Sequence, residues 1–460
     1  MRAFIAFCLF LIAAPAGAQQ TLPPELVSKI DAAVTAALAK SGAPSASVAI
    51  VKDGALAYAH AYGLANIEHK TPATPAMRYS IGSISKQFAA TAVLMLVEDG
   101  KLSLDDKVSK FMPDLTRASD VTVRQLLTMT SGYQDYWPQD YVMPGMLEPI
   151  TPEQIVERWA RIPLDFEPGT AWQYSNTNFV IVGLIVQKVA GVPLFDFLQQ
   201  RVFSRLGMAS IQNIDEAGLG PADAARYTRF ATAPPRPAPK EGRGWIFAAG
   251  ELAMTACDLA RWDISLIEQS VLKPSSYRAL ETEELLANGA GTNYGLGVSV
   301  SREGSGRRRI SHSGEVSGFT ALNLVYPDDR LAIVVLTNLD ATDASGRAGR
   351  AIAELLLAPE QASGPIAQAR AILTGLQHGQ IDRTQLSGNA SFYFSDVALR
   401  DFASSLGPLG QLKTISQDAT QLRGGMTFRS FKAVFPSATV GISTYTLPDG
   451  KLEQFIVTPD

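Results

Sequence analysis

Apolar positions along the chain switch period several times, and each switch marks an element. Leu26, Ile30, Ala33, Val34, Ala37 and Leu38 recur at three- and four-residue intervals, predicting a helix closed by Gly42. Two β-prone runs, 46–51 and 55–62, flank Asp53-Gly54, a pair that tolerates the positive φ of a tight turn, so a hairpin is expected. An apolar helix over 83–98 follows, stopped by Asp99-Gly100. From 105 to 261 the pattern is helical and loop-like, with helices expected at 121–129, 152–160, 178–189 and 194–206. Strand patterning returns at 294–300, 309–312, 320–326 and 331–338, with Pro327-Asp328-Asp329 turning the last two into a hairpin, and a helix over 345–357 closes the unit. This order is not regular βα alternation. It predicts an α+β fold: an antiparallel sheet assembled from both ends of the domain and flanked by helices, with a helical lobe inserted and a site in the cleft between them.

Residues 358–365 read as a linker by composition, and 366–460 as a separate small α+β domain. Its expected elements are helices at 366–376 and 397–406 and a meander at 424–435, 439–447 and 452–458. At the other end, Arg2 precedes the apolar run 3–14, and Ala16-Gly17-Ala18 fits the small-x-small cleavage rule. A signal peptide over 1–18 is therefore expected, with the first large domain occupying 19–357. The expectation is a periplasmic or secreted protein with no stable membrane span after cleavage, because the apolar run falls short of the ~20 residues that cross a bilayer. Cleavage would leave Cys257 alone, expected as a small buried side chain with no histidine near it in sequence.

Composition narrows the function. Of 460 residues, 46% are hydrophobic and 18% charged, ordinary for a chain that buries a core, and the formal charge of −4 supplies no field for nucleic acid. Histidines 60, 69, 312 and 378 are scattered without ligand spacing, so neither a metal nor an organic cofactor is expected.

Three short motifs carry chemistry. Ser83-Ile84-Ser85-Lys86 puts a hydroxyl and an amine three residues apart at a helix start, where a desolvated lysine can take the serine proton. About one Ser-x-x-Lys arises by chance in a chain this long, and such a pair alone also suits a surface helix turn. Tyr174-Ser175-Asn176 places a phenol and an amide before an apolar helix. A tyrosine near a cationic lysine can have a depressed pKa and act as a base, and the same residues also suit packing and helix capping. His312-Ser313-Gly314-Glu315 lies on an expected strand, with a glycine that admits close backbone approach and an N–H at Glu315 for an oxyanion, though a lone strand histidine is also an ordinary structural residue.

Ser-x-x-Lys, Tyr-x-Asn and His-x-Gly in this order resemble the three motifs of the serine β-lactamase and penicillin-binding-protein superfamily. The branch is that of class C β-lactamases, D-alanyl-D-alanine carboxypeptidases and β-lactamase-like esterases. The runs Gln125 to Gly132, Phe166 to Gly169 and Gly250 to Trp262 also resemble it, over about 30–357. The resemblance implies a β-lactamase/transpeptidase-like fold with Ser83 acylated, Lys86 and Tyr174 sharing proton transfer, and Asn176, His312, Ser313, Gly314 and Glu315 binding substrate. The implied activity is that of an exported serine hydrolase forming an acyl-enzyme on an ester or amide, carboxypeptidase-like or esterase-like. β-Lactamase activity or a non-turnover penicillin-binding sensor is the alternative, and the partner is a small molecule or a peptidoglycan peptide. A Ser-His-Asp hydrolase is disfavoured because no Gly-x-Ser-x-Gly elbow occurs.

His312 departs from the lysine typical of class C β-lactamases. An imidazole titrating near 6.5 would hold a substrate carboxylate less firmly than an ammonium, and progressively less as pH rises through neutrality. Tyr133, Tyr136, Trp137 and Tyr141 are candidates for an apolar acyl pocket. The C-terminal module resembles a nuclear-transport-factor-like cone.

Overall fold

The computed structural model describes residues 22–302, 307–357 and 364–459. The expected signal peptide and most of the expected linker lie outside the described residues. By contacts the chain divides into one unit running to Val300 with Ile310–Leu355, and a second of Ser301–Arg309 with Leu356 onward.

The first unit is built on a seven-stranded antiparallel sheet. In spatial order its strands are Thr71–Pro72, Ala55–Asn66, Ser45–Lys52, Leu331–Thr337, Phe319–Tyr326, Arg308–Val316 and Ser299–Arg302. Ser45–Lys52 pairs with Leu331–Thr337 in the register Ala46↔Thr337 to Val51↔Ala332, so the two ends of the unit close on each other as expected. Both central strands are buried along nearly their whole length, which explains their continuous apolar runs. Helix Ala256–Glu268 packs on one face, where Asp263 meets Asn323. Alternation sends Leu322 to the other face, and Gly349 lets helix Ala344–Leu356 approach it: a Cβ there would lie 2.6 Å from Leu322 Cδ2.

Local chemistry sets the boundaries. Helix Pro24–Ser41 ends at Gly42, whose φ is 73°. Asp53 and Gly54 both take positive φ in the hairpin. Thr122 with Gln125, and Thr151 with Gln154, form capping boxes that start Val123–Leu127 and Pro152–Trp159. Helix Asn176–Ala190 is the lobe's centre, buried from Thr177 to Gly183 and at Ile185 and Val186, and packs against helix Ser85–Glu98.

Three expectations need correction. The strand expected at 294–300 begins only at Ser299, because Gly295 and Gly297 fold into a tight loop with Gly297 at φ 72°. The helix expected at 194–206 is interrupted by a π-helical turn, Gln199–Phe203. Helix Ala256–Glu268 has no counterpart among the expected elements, although Thr255 caps its start by accepting from Asp258 N–H.

The second unit contains a four-stranded antiparallel meander, Thr414–Arg423, Met426–Val434, Thr439–Thr446 and Leu452–Pro459, with helices Pro365–Gln377 and Asp396–Leu406. Its first strand was not legible because nine of its ten residues are exposed and it carries no apolar alternation. Phe394, Phe431, Ile442 and Phe455 lie in its own apolar core.

Candidate active site

Ser83 sits where a strand, a glycine turn and a helix meet. Tyr79–Ser80 pairs with Leu252–Met254, and Ile81 N–H donates to Leu252 O at 3.0 Å, anchoring the approach. Gly82 turns the chain at φ 49°, and a Cβ on it would fall 2.6 Å from the Glu315 nitrogen. Ser83 itself lies in a single 3₁₀ turn, Gly82–Ile84, and the α-helix starts only at Ser85. This corrects the helix start expected at 83 and improves the geometry, because three residues per turn eclipses side chains at i and i+3. Lys86 Nζ accordingly donates to Ser83 Oγ at 2.9 Å.

Lys86 is fully buried. Its ammonium also donates to Asn176 Oδ1 at 2.8 Å and to Ala249 O at 2.8 Å, and lies 4.9 Å from the centre of the Tyr174 ring. Burial pulls its pKa down to about 7, against an upward pull from the Asp135 carboxylate. Burial pushes the Tyr174 phenol upward, against a smaller downward pull from the Ser83 hydroxyl. The expectation of an acidified tyrosine is therefore reversed: desolvation outweighs a lysine that is itself easily neutralised, so Tyr174 keeps its proton and Lys86 is the group poised to accept one.

Asn176, at the N-terminus of its helix, is held from behind by Asp135. The carboxylate accepts from Asn176 N–H at 3.0 Å and Asn176 Nδ2 at 3.3 Å, and from Trp137 N–H at 3.1 Å. Asn176 Oδ1 is thus committed to Lys86, which leaves it orienting the amine as well as facing the cavity. Asp135 was missed from sequence. It lies in the aromatic stretch after Gly132, and nothing along the chain shows that this stretch returns to Asn176.

The third motif lies on Arg308–Val316. Ser313 and Glu315 are exposed, while His312 and Gly314 are buried. A Cβ on Gly314 would fall 1.9 Å from Ile81 O and 3.3 Å from Ser83 N, so only glycine lets this strand lie against the nucleophile turn. The neighbouring strand on the outer side, Ser299–Arg302, has four residues against nine, so it cannot cover the whole strand.

His312 differs from its expected role. Nδ1 lies 2.5 Å from Ser313 O, which can only accept, so Nδ1 carries the proton and Nε2 accepts from Tyr294 Oη at 2.8 Å. Burial, then the nearby Lys86, lower its pKa to about 4. The ring is therefore neutral through the physiological range and both its nitrogens are engaged within the protein. It is no carboxylate anchor that fades above pH 6.5.

These residues open onto a cavity of about 380 Å³, which Ser83, Tyr174, Asn176, His312, Ser313 and Glu315 help to line. Tyr136, Trp137 and Tyr141 form part of its wall, as expected of the aromatic insertion. Tyr133 does not: it is buried in the core and its hydroxyl donates to Thr116 O at 2.9 Å. Cys257 is a half-buried thiol with a raised pKa, poorly suited to nucleophilic work.

Comparisons with known proteins give the family of the chain. Residues 30–357 match the family model described as Beta-lactamase. Penicillin-binding protein 4* of Bacillus subtilis is 26% identical over 309 residues, which make up 64% of this chain and 67% of that protein. The D-aminopeptidase of Gluconobacter oxydans is 29% identical over 313 residues, 68% of this chain, and the match spans 59% of the enzyme's length. Among solved structures, the octameric penicillin-binding protein homologue from Pyrococcus abyssi gives a TM-score of 0.62 at 25% identity, covering 94% of this chain and 96% of its own.

Proposed function

Since the chain belongs to the beta-lactamase family and is a serine hydrolase, we propose that it forms an acyl-enzyme at Ser83 and hydrolyses a small amide or ester outside the cytoplasm. The observation that carries this reading is the buried contact of 2.9 Å between Lys86 Nζ and Ser83 Oγ, with the amine's pKa near 7. Neutral Lys86 takes the Ser83 proton as Oγ attacks the substrate carbonyl. The N–H groups of Ser83 and Glu315, brought together by Gly82 and Gly314, receive the developing oxyanion. Tyr174, still protonated, gives its proton to the departing amine or alcohol, and the proton held by Lys86 restores the phenol. Water then attacks the acyl-enzyme, and the same groups work in the reverse sense to release the acid.

An amide or ester substrate draws support from the D-aminopeptidase relative. A carboxypeptidase or β-lactamase role draws less, because the neutral, internally engaged His312 offers nothing to a substrate carboxylate. Export rests on the basic, apolar and small-residue pattern of 1–18.

The test is Ser83→Ala. It should abolish turnover of p-nitrophenyl esters and labelling by a fluorophosphonate, with an unchanged circular dichroism spectrum. Labelling that survives in the variant refutes the acyl-enzyme. A mature N-terminus near Gln19, sequenced from a periplasmic or secreted fraction, checks export.

A further inference from the structure

Four carboxylates line the catalytic cavity, Asp135, Asp140, Glu315 and Asp340, and among the described residues no lysine or arginine does. Asp135 is occupied in holding Asn176. The other three act on one another at Glu315: although that residue is exposed as a whole, burial of its carboxyl, then the charges of Asp140 and Asp340, raise its pKa. Glu315 Oε1 accepts from Ala341 N–H at 3.0 Å, and Asp340 Oδ2 from Gly318 N–H at 2.8 Å.

A second observation points to what is missing. Asp340 is 9% exposed, and its Oδ1 is buried without a hydrogen-bond partner; burial raises its pKa, against a smaller downward pull from the Thr228 hydroxyl. Gln139 Oε1, in the same cavity wall, is likewise buried and unpartnered. An orphaned amide oxygen and an orphaned carboxylate oxygen, in a wall where two neighbouring charges act on the Glu315 carboxyl, call for a donor that is also a cation. A primary ammonium supplies both, with three N–H groups on one positive centre.

Building on the hydrolase reading above, we propose that Asp140, Glu315 and Asp340 select substrates bearing a protonated primary amine and repel those bearing a carboxylate near the scissile bond. The scissile carbonyl lies at Ser83, and the amine sits against the carboxylate wall beyond Glu315. An aminoacyl amide or ester meets this description, and so does an acyl group whose side chain ends in an amine. A substrate ending in a free carboxylate meets the wall with like charge.

The experiment compares kcat/KM for alanine p-nitroanilide, lysine p-nitroanilide blocked at its α-amine, and N-acetyl- and N-succinylalanine p-nitroanilides, in wild type and Asp140→Asn. A neutral p-nitrophenyl ester serves as the reference. At least one free-amine anilide should exceed the succinyl compound by about tenfold or more, and which one identifies α- or side-chain amine as the group read. Asp140→Asn should shrink that ratio by about fivefold, a partly exposed ion-pair effect. Equal or better cleavage of the succinyl compound, or a ratio unmoved by Asp140→Asn, overturns the proposal while Ser83-dependent ester turnover leaves the hydrolase reading standing. Absence of ester turnover refutes the hydrolase reading instead. The charge preference is then still read in Ser83→Ala by calorimetry, with alaninamide and N-ε-acetyl-free lysine derivatives expected to bind more tightly than N-succinylalanine; tighter binding of the succinyl ligand overturns it.

Discussion

Lys86 and Tyr174 show how one environment sorts two groups into opposite roles. Burial disfavours whichever form is charged, so it lowers the lysine to about 7 and raises the phenol, leaving an amine able to accept and a hydroxyl able to donate. The pH consequence has a definite sign. Charged Lys86 cannot take the Ser83 proton, so kcat/KM for an uncharged ester should rise with pH and level off above a midpoint near 7. Lys86→Arg, positive at every working pH, should lose about a hundredfold or more. A profile flat between about pH 5 and 8 in the wild type would give the base role to another group. His312 adds no slope of its own across that range, because its pKa of about 4 keeps it neutral.

At the scale of elements, the site depends on backbones meeting more closely than side chains normally permit. Gly82 and Gly314 let the nucleophile turn and the strand Arg308–Val316 touch. Behind them, Gln87 on the nucleophile helix donates to Asn323 at 3.0 Å, and Asn323 in turn accepts from His312 N–H at 3.1 Å and donates to Asp263 at 2.8 Å. This fully buried chain of polar groups ties helix Ser85–Glu98, the sheet and helix Ala256–Glu268 into one frame. Gly314→Ala tests the close approach. Its methyl would meet Ile81 O at 1.9 Å and must push the strand outward, so ester kcat should fall by about a hundredfold or more while the protein stays folded. Near-normal kcat, measured beside an unchanged thermal transition, would show that the two segments need not touch for catalysis.

For the molecule as a whole, two separate apolar cores support the two units, and the catalytic groups all belong to the first. That unit also buries carboxyl groups behind the site. Burial, and then the Asp215 charge, raise Glu251 to about 8, with Asn213 Nδ2 donating to it at 3.0 Å. Its folded pKa lies above its ordinary value of 4.5, so the stability it permits is full below that value and declines as pH rises through about 8. Glu251→Gln, neutral throughout, should flatten that decline, raising Tm at about pH 8.5 relative to wild type and much less at about pH 5. An equal shift at both values would mean that Glu251 is not protonated in the fold.

Much of this was legible in order along the chain. Periodicity located the first helix, the Asp53-Gly54 hairpin, the long insertion and the returning strands, because each element's exposure pattern is set by its own repeat. The three motifs were legible as well, since a serine three residues before a lysine at a helix start is a local relation. Elements without apolar contrast escaped, Thr414–Arg423 above all, since a solvated strand leaves no alternation to detect. Distance between segments escaped entirely. That Asp135 stands behind Asn176, that Ala249 O takes the lysine's third hydrogen bond and that Tyr294 caps His312 are facts of folding. So are the protonation states: residue type sets where a group can titrate, but the surrounding packing decides how much water each charged form loses, and here that reversed the roles expected of Tyr174 and His312.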